Sequence, residues 1–390
     1  MFMTEAWKAT MRIERWRLMA VATIAALILL AGCTSAGTPS WSYPAAPVPA
    51  AALAAAAAGS APAAPVASAN ASSAPAAGPA MPGMSPDVTA SATPAGPAAS
   101  EAPDPNAPPY AVVSPDAPTV MPGTVHDVDF PIIEKDITVA KGYVVHAWTF
   151  GGTVPGPTLR VHLGDTVRVH LTNQTTMSHS IDFHASQTAM DDQMVEIKPG
   201  ATWTYTFRAD YAGVWMYHCG TAPTLLHIAN GMFGMVIVEP RGGFAPVDHE
   251  FAFIQSEWYL GGQGQPASYT KANAAAPAPD FVVFNGVASQ YKDNPIAVTA
   301  GDRIRIFVLN VGPNEMSSFH IVGTIFDTVV KEGISLVKGN AGGWGSQAVD
   351  LSPAQGAIVE LTIAEKGMYA FVTHAFNFVG RGAIGALIAK

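Results

Sequence analysis

One short stretch limits what this chain can become. Tyr217-His218-Cys219-Gly220 runs on to His227 and Gly231-Met232, so a cysteine, two histidines and a methionine fall within 16 residues. A thiolate, an imidazole and a thioether returning at this spacing match a trigonal site of two histidines and one cysteine with a weak axial methionine, the donor set of copper centres that pass electrons. His179 upstream supplies the second imidazole. Alone, Cys219 would read as a small buried hydrophobe and Met232 as a core filler. Together and in this order, His179, Cys219, His227 and Met232 read as a metal site.

The 390-residue chain does not offer all of its length to a fold. Residues 11–17 are basic, and residues 18–30 form an apolar run broken only by Thr23. That run is too short to span a bilayer and fits the core of a secretory signal. It closes in Leu30-Ala31-Gly32-Cys33, similar to the lipobox of bacterial lipoproteins, where the cysteine is acylated. The expected division is therefore a signal peptide over residues 1–32 and a lipidated Cys33 that opens a tether over residues 33–118. The tether is almost entirely Ala, Pro, Ser, Gly and Val, without Lys or Arg. Recurrent proline removes helix donors, and too little large apolar surface is present to offset ordering entropy, so disorder is expected. Membrane contact is expected through the lipid only. With Cys33 given to lipid and Cys219 to metal, no cysteine remains for a disulfide. The formal charge of −9 argues against nucleic acid as a partner.

From residue 119 onward the pattern is all-β: period-two alternation punctuated by Gly, Pro, Asn and Asp. Residues 159–163 alternate, turn at Gly164-Asp165 and alternate again to Asn173. On those strands His162 and His170 fall on the polar face; with His126, His146 and His249 they read as solvated bystanders. Three phrases recur in order. Leu163-Gly164-Asp165-Thr166-Val167-Arg168-Val169 is echoed by Ala300-Gly301-Asp302-Arg303-Ile304-Arg305-Ile306, Gly213-Val214-Trp215-Met216-Tyr217 by Gly367-Met368-Tyr369-Ala370-Phe371, and Gly231-Met232-Phe233-Gly234 by Gly382-Ala383-Ile384-Gly385. An internal duplication follows, giving two tandem β-sandwich domains over residues 119–242 and 243–390. Thr373 then stands opposite Cys219, Phe378 opposite His227 and Ala383 opposite Met232, so only the first copy can hold the soft-ligand site.

Two histidines near that site remain. His184 follows His179 by five residues, and His218 precedes Cys219 directly. Neighbours on a strand point to opposite faces, so His218 turns away from the metal that Cys219 binds. With His374 from the second domain, His184 and His218 would make a three-imidazole site with an open position, the mark of a catalytic centre. Asp182 and His320 look like an acid/base pair beside it.

These phrases carry a resemblance. His179-Ser180-Ile181-Asp182-Phe183-His184, residues 217–240, Ser317-Ser318-Phe319-His320 and Val372-Thr373-His374 resemble the copper-containing nitrite reductases from about residue 110 to the end, and in the length of the ligand loop the lipid-anchored neisserial type. The resemblance implies cupredoxin-like Greek-key domains and two coppers per subunit. Type 1 copper would lie on His179, Cys219, His227 and Met232, and type 2 on His184, His218 and His374. Asp182 and His320 would handle protons, and Val322 would stand over the substrate where relatives more often carry isoleucine. It further implies a homotrimer whose type 2 site is shared between subunits, nitrite as substrate, a cupredoxin or c-type cytochrome as electron donor, and an outer-membrane lipoprotein of the cell envelope.

A two-domain multicopper oxidase would need paired His-x-His motifs and a histidine on each side of the cysteine. The sequence has neither, and Gly220 follows Cys219. A surface cupredoxin that only carries electrons would have no use for His320 and His374.

Overall fold

The computed structural model describes residues 102–339 and 343–390. The leader, Cys33 and most of the expected tether lie outside them. Among the described residues no helix is long and apolar enough to cross a membrane.

The alternating segments form strands. In the first half these are β1 (Val125–Ala140), β2 (Tyr143–Phe150), β3 (Leu159–His162), β4 (Thr166–Asn173), β5 (Asp182–Phe183), β6 (Thr202–Arg208), β7 (Gly213–His218) and β8 (Phe233–Glu239). They pair as two four-stranded sheets, ordered β2-β1-β4-β6 and β3-β8-β7-β5. The chain passes repeatedly from one sheet to the other, which leaves β1 parallel to β4 and β3 parallel to β8. The second half repeats the plan with β9 (His249–Trp258), β10 (Phe281–Phe284), β11 (Ile296–Val298), β12 (Arg303–Gly312), β13 (Ser317–Ile321), β14 (Thr328–Lys331), β15 (Ile334–Lys338), β16 (Ala348–Leu351), β17 (Gly356–Thr362), β18 (Gly367–Thr373) and β19 (Ile384–Ala389). Its sheets are ordered β10-β9-β12-β17-β14-β15 and β11-β19-β18-β13-β16.

Three apolar layers hold the sheets together. Val167, Val169, Leu171, Phe207, Tyr217 and Val236 fill the first sandwich, and Phe253, Ile306, Val308, Phe319, Val359 and Phe371 fill the second. Between them lies a third layer, where Val214, Met216, Met235 and Ile237 meet Ile254, Phe307, Leu309 and Ile358. Strands β8 and β12 therefore bury both faces, which is why β8 runs apolar from Phe233 to Val238 instead of alternating. Each such side chain contributes about 1.5–3 kcal/mol by leaving water.

Residues 103–118, read from the sequence as tether, run against this body. Val113 N–H donates to Gln290 Oε1, Ala117 N–H to the Glu250 carbonyl, and Ala252 N–H to the Pro115 carbonyl.

The duplication is visible bond by bond. Tyr217 pairs with Gly234 as Phe371 pairs with Gly385. Cys219 N–H donates to the Met232 carbonyl at 3.1 Å, and Thr373 N–H to the Ala383 carbonyl at 3.4 Å. Asp165 accepts His162 N–H and meets His126 Nε2 at 2.9 Å, while Asp302 accepts Thr299 N–H and meets His249 Nε2 at 3.0 Å. This corrects the reading of His126 as a solvated bystander. It is 4% exposed, because its ring closes on the turn aspartate. At the surface, His146 and His170 also have carboxylate partners, Asp136 and Asp127.

Candidate metal centres

The loop after β4 brings His179 under the sandwich, where it bridges Ile197 through paired backbone hydrogen bonds. Cys219 follows the last residue of β7, His227 lies on the short helix Thr224–Ala229, and Met232 precedes β8. All four are buried. The backbone closes the loop on itself: Met232 N–H donates to the His227 carbonyl at 3.2 Å while the Met232 carbonyl accepts from Cys219.

The donor atoms converge. His179 Nδ1 lies 3.2 Å from His227 Nδ1, and Cys219 Sγ lies 3.4 Å from His227 Nδ1 and 3.9 Å from His179 Nδ1. Burial, with His227 beside it, lowers His179 to about 4, and burial alone lowers His227 to about 4, so both rings are neutral with lone pairs to give. Burial pushes the Cys219 thiol up, against hydrogen bonds such as that from Ser180 N–H, 3.4 Å from Sγ. Metal uptake must therefore release that proton. Trp148 packs edge-on against both imidazoles. Two neutral nitrogens and a sulfur facing one another in a dry core suit a soft-ligated cation, and the donor set fits copper.

The second set forms on the outer side of β7. Asp182 on β5 pairs with His218 on β7, and His184 Nε2 lies 3.1 Å from His218 Nε2 and 3.7 Å from Asp182 Oδ2. His218 Nδ1–H donates to the Cys219 carbonyl at 2.9 Å, which leaves Nε2 as the ligand nitrogen. Burial and the neighbouring His218 lower His184 against the opposing pull of Asp182. This cluster is open where the first is sealed.

His374 and His320 stand elsewhere. They line a cavity of about 310 Å³ in the second domain with Ser318, Gln347 and Ala348, and their rings lie 5.5 Å apart. His320 Nδ1 is held by the Gln347 carbonyl. Val322 is half exposed, and its N–H donates to the Ala370 carbonyl as His184 N–H donates to the Met216 carbonyl. Within one chain, His374 does not join His184 and His218 among the described residues. Ser180 and Gln347, which position Cys219 and His320, were not singled out in the sequence. Ser180's place next to His179 was the only signal for it.

Paired β-sandwiches with a buried His-Cys-His-Met set at the end of the first define a two-domain copper protein of the cupredoxin class. Residues 132–243 match the multicopper oxidase sequence family. A copper-containing nitrite reductase of Neisseria meningitidis serogroup B is 39% identical over 287 residues, covering 70% of this chain and 72% of the relative. One from Alcaligenes xylosoxydans is 27% identical, covering 65% and 82%. Among solved structures, the copper nitrite reductase of Nitrosomonas europaea superposes with a TM-score of 0.62 at 34% identity, over 68% of this chain and 94% of that one. The chain belongs to the family of copper-containing nitrite reductases, and His179, Cys219, His227 and Met232 form its type 1 copper site.

Proposed function

We propose that the chain reduces nitrite, with one electron and two protons, to nitric oxide and water. The observation that carries this is the placement of His218 and Cys219: covalent neighbours serve the sealed cluster and the open one, so an electron has a short bonded path between them. Copper, when bound, supplies one-electron transfer at the first centre and Lewis-acid binding of nitrite at the second. His184 and His218 hold the second copper together with His374 from a neighbouring copy in a homotrimer. Asp182, beside His184, hydrogen-bonds the nitrite oxygen that leaves and passes it a proton. His320, its Nδ1–H fixed on the Gln347 carbonyl, uses Nε2 to hold and deliver the other. Val322 shapes the space over the substrate.

The same reading assigns residues 1–32 to the signal, Cys33 to lipid, residues 33–118 to the segment that leads from the anchor and ends, over residues 103–118, against the enzyme body, and residues 119–242 and 243–390 to the two domains. The protein then works in the cell envelope on the outer membrane, with a cupredoxin or c-type cytochrome as donor.

The test is nitric oxide formation from nitrite by the copper-loaded full chain with a reduced artificial donor. The parent forms nitric oxide; His184→Ala keeps the type 1 visible band and forms none. A coloured, copper-replete parent that forms no nitric oxide overturns the reading and leaves an electron carrier.

A further inference from the structure

The internal duplication isolates a residue whose role neither the ligand set nor the loop explains. In the loop before His179, Asn173 acts as a backbone clamp: its Nδ2 donates to the Met177 and Ile197 carbonyls, both at 2.8 Å, and its Oδ1 accepts Thr175 N–H at 2.9 Å. The second domain keeps the clamp. Asn310 Nδ2 donates to the Glu315 and Leu351 carbonyls at 2.8 and 3.0 Å, and Oδ1 accepts Gly312 N–H at 3.1 Å. Gly312 thus stands where Thr175 does, and Ser317 where His179 does. The three clamp bonds form without a hydroxyl at that position, over a loop one residue longer, and the hydroxyl occurs only in the copy that carries the copper ligand.

In the first copy that hydroxyl meets the ligand. Thr175 Oγ1 lies 3.0 Å from His179 Nε2 in a buried setting. Its single proton has two oxygen acceptors within reach, Asn173 Oδ1 at 2.8 Å and the Met177 carbonyl at 3.1 Å. A lone pair is left to accept, and the partner at 3.0 Å is Nε2–H. A proton on Nε2 leaves Nδ1 bare, and Nδ1 is the atom that faces Cys219 Sγ and His227 Nδ1.

We infer that Thr175 is a positioning residue of the type 1 centre: its hydroxyl fixes the tautomer and ring orientation of His179 and so sets copper affinity and the electronic state of the site. The inference rests on the copper reading of that cluster. Partners of this kind to ligand histidines are worth about 10–100-fold in metal affinity.

The experiment compares the copper-loaded full chain with Thr175→Val, which keeps the shape without the hydroxyl, and Thr175→Ser, which keeps the hydroxyl. Copper partition against a chelator, the visible and electron paramagnetic spectra, and the type 1 potential are read. Thr175→Val is expected to lose copper about 10–100-fold more readily and to shift both spectrum and potential, while Thr175→Ser stays with the parent. Val and Ser proteins that match each other in copper retention, spectrum and potential overturn the inference, even if both melt at lower temperature, since that is a loop effect alone. If the Val protein does not fold, Thr175→Gly, the residue the second domain uses in the same clamp, takes its place under the same comparison. A parent that takes up copper without type 1 colour would instead sink the copper reading itself, before any variant is compared.

Discussion

Tyr217 and Gly234 fit only as a pair. A Cβ on Gly234 would stand 2.2 Å from Tyr217 Cζ, and the second domain repeats the device, with a Cβ on Gly385 2.1 Å from Phe371 Cζ. Tyr217 cannot move aside: it is fully buried, its hydroxyl donates to the Pro157 carbonyl at 2.8 Å, and Phe130, Phe150 and Phe183 pack around its ring. Overpacking of this kind costs about 1–3 kcal/mol. Gly234→Ala is therefore expected to lower the free energy of unfolding by that amount, read as a lower midpoint in a denaturant titration. Because Tyr217 is followed by His218 and Cys219, the type 1 visible band should shift as well. An alanine protein with unchanged midpoint and band would show that the ring has room to relax.

At the scale of elements, the loop between β12 and β13 delivers the strand that bears His320, and a buried carboxylate ties it down. Glu257 on β9 accepts Asn314 N–H at 3.0 Å and Glu315 N–H at 2.7 Å, and Tyr259 Oη donates to it at 2.5 Å. Burial raises Glu257 to about 7, the neighbouring Glu315 adding to it and those hydrogen bonds opposing it. The native state then holds this proton more tightly than an unfolded chain, where the value is 4.5. The stabilisation is complete below about 4.5 and drains away as pH rises through about 7. Glu257→Gln should flatten the dependence of melting temperature on pH across that window, and an unchanged slope would mean the group does not titrate there. Nothing in the sequence marked Glu257, because a lone glutamate in a strand reads as solvent-facing until the loop that covers it is known. The same limit hid Thr175 and Ser180: hydroxyl residues are common, and only the fold puts theirs beside a ligand. The ligands themselves were legible because cysteine, histidine and methionine at that spacing are rare, and the strands because β3 and β4 alternate. Conversely, β8 shows no alternation, since a domain joint that periodicity cannot display buries its second face.

On the scale of the whole molecule, that joint is polar at its edge. Glu250 receives Arg160 from the first domain at 2.7 and 2.9 Å and Arg305 from the second at 2.7 Å. Burial would raise Glu250, but these hydrogen bonds outweigh it and hold it below the ordinary carboxylate range. The two domains are thus locked into one body, and the open pair His184–His218 and the cavity with His320 and His374 form separate clusters within one chain. A shared centre built head to tail between copies would unite them: the first-domain face of one copy meets the second-domain face of the next, and the ring closes. This makes a prediction that no single chain could satisfy. His184→Ala and His374→Ala each abolish nitric oxide formation alone. When the two proteins are dissociated, mixed in equal amounts and reassociated, about a quarter of the interfaces receive His374 from one parent and His184 and His218 from the other, all intact. Activity should return to about that fraction of the parent, together with the electron paramagnetic signal of the second copper. Mixing that restores neither signal nor turnover, in subunits shown to have exchanged, would place all three imidazoles in one chain.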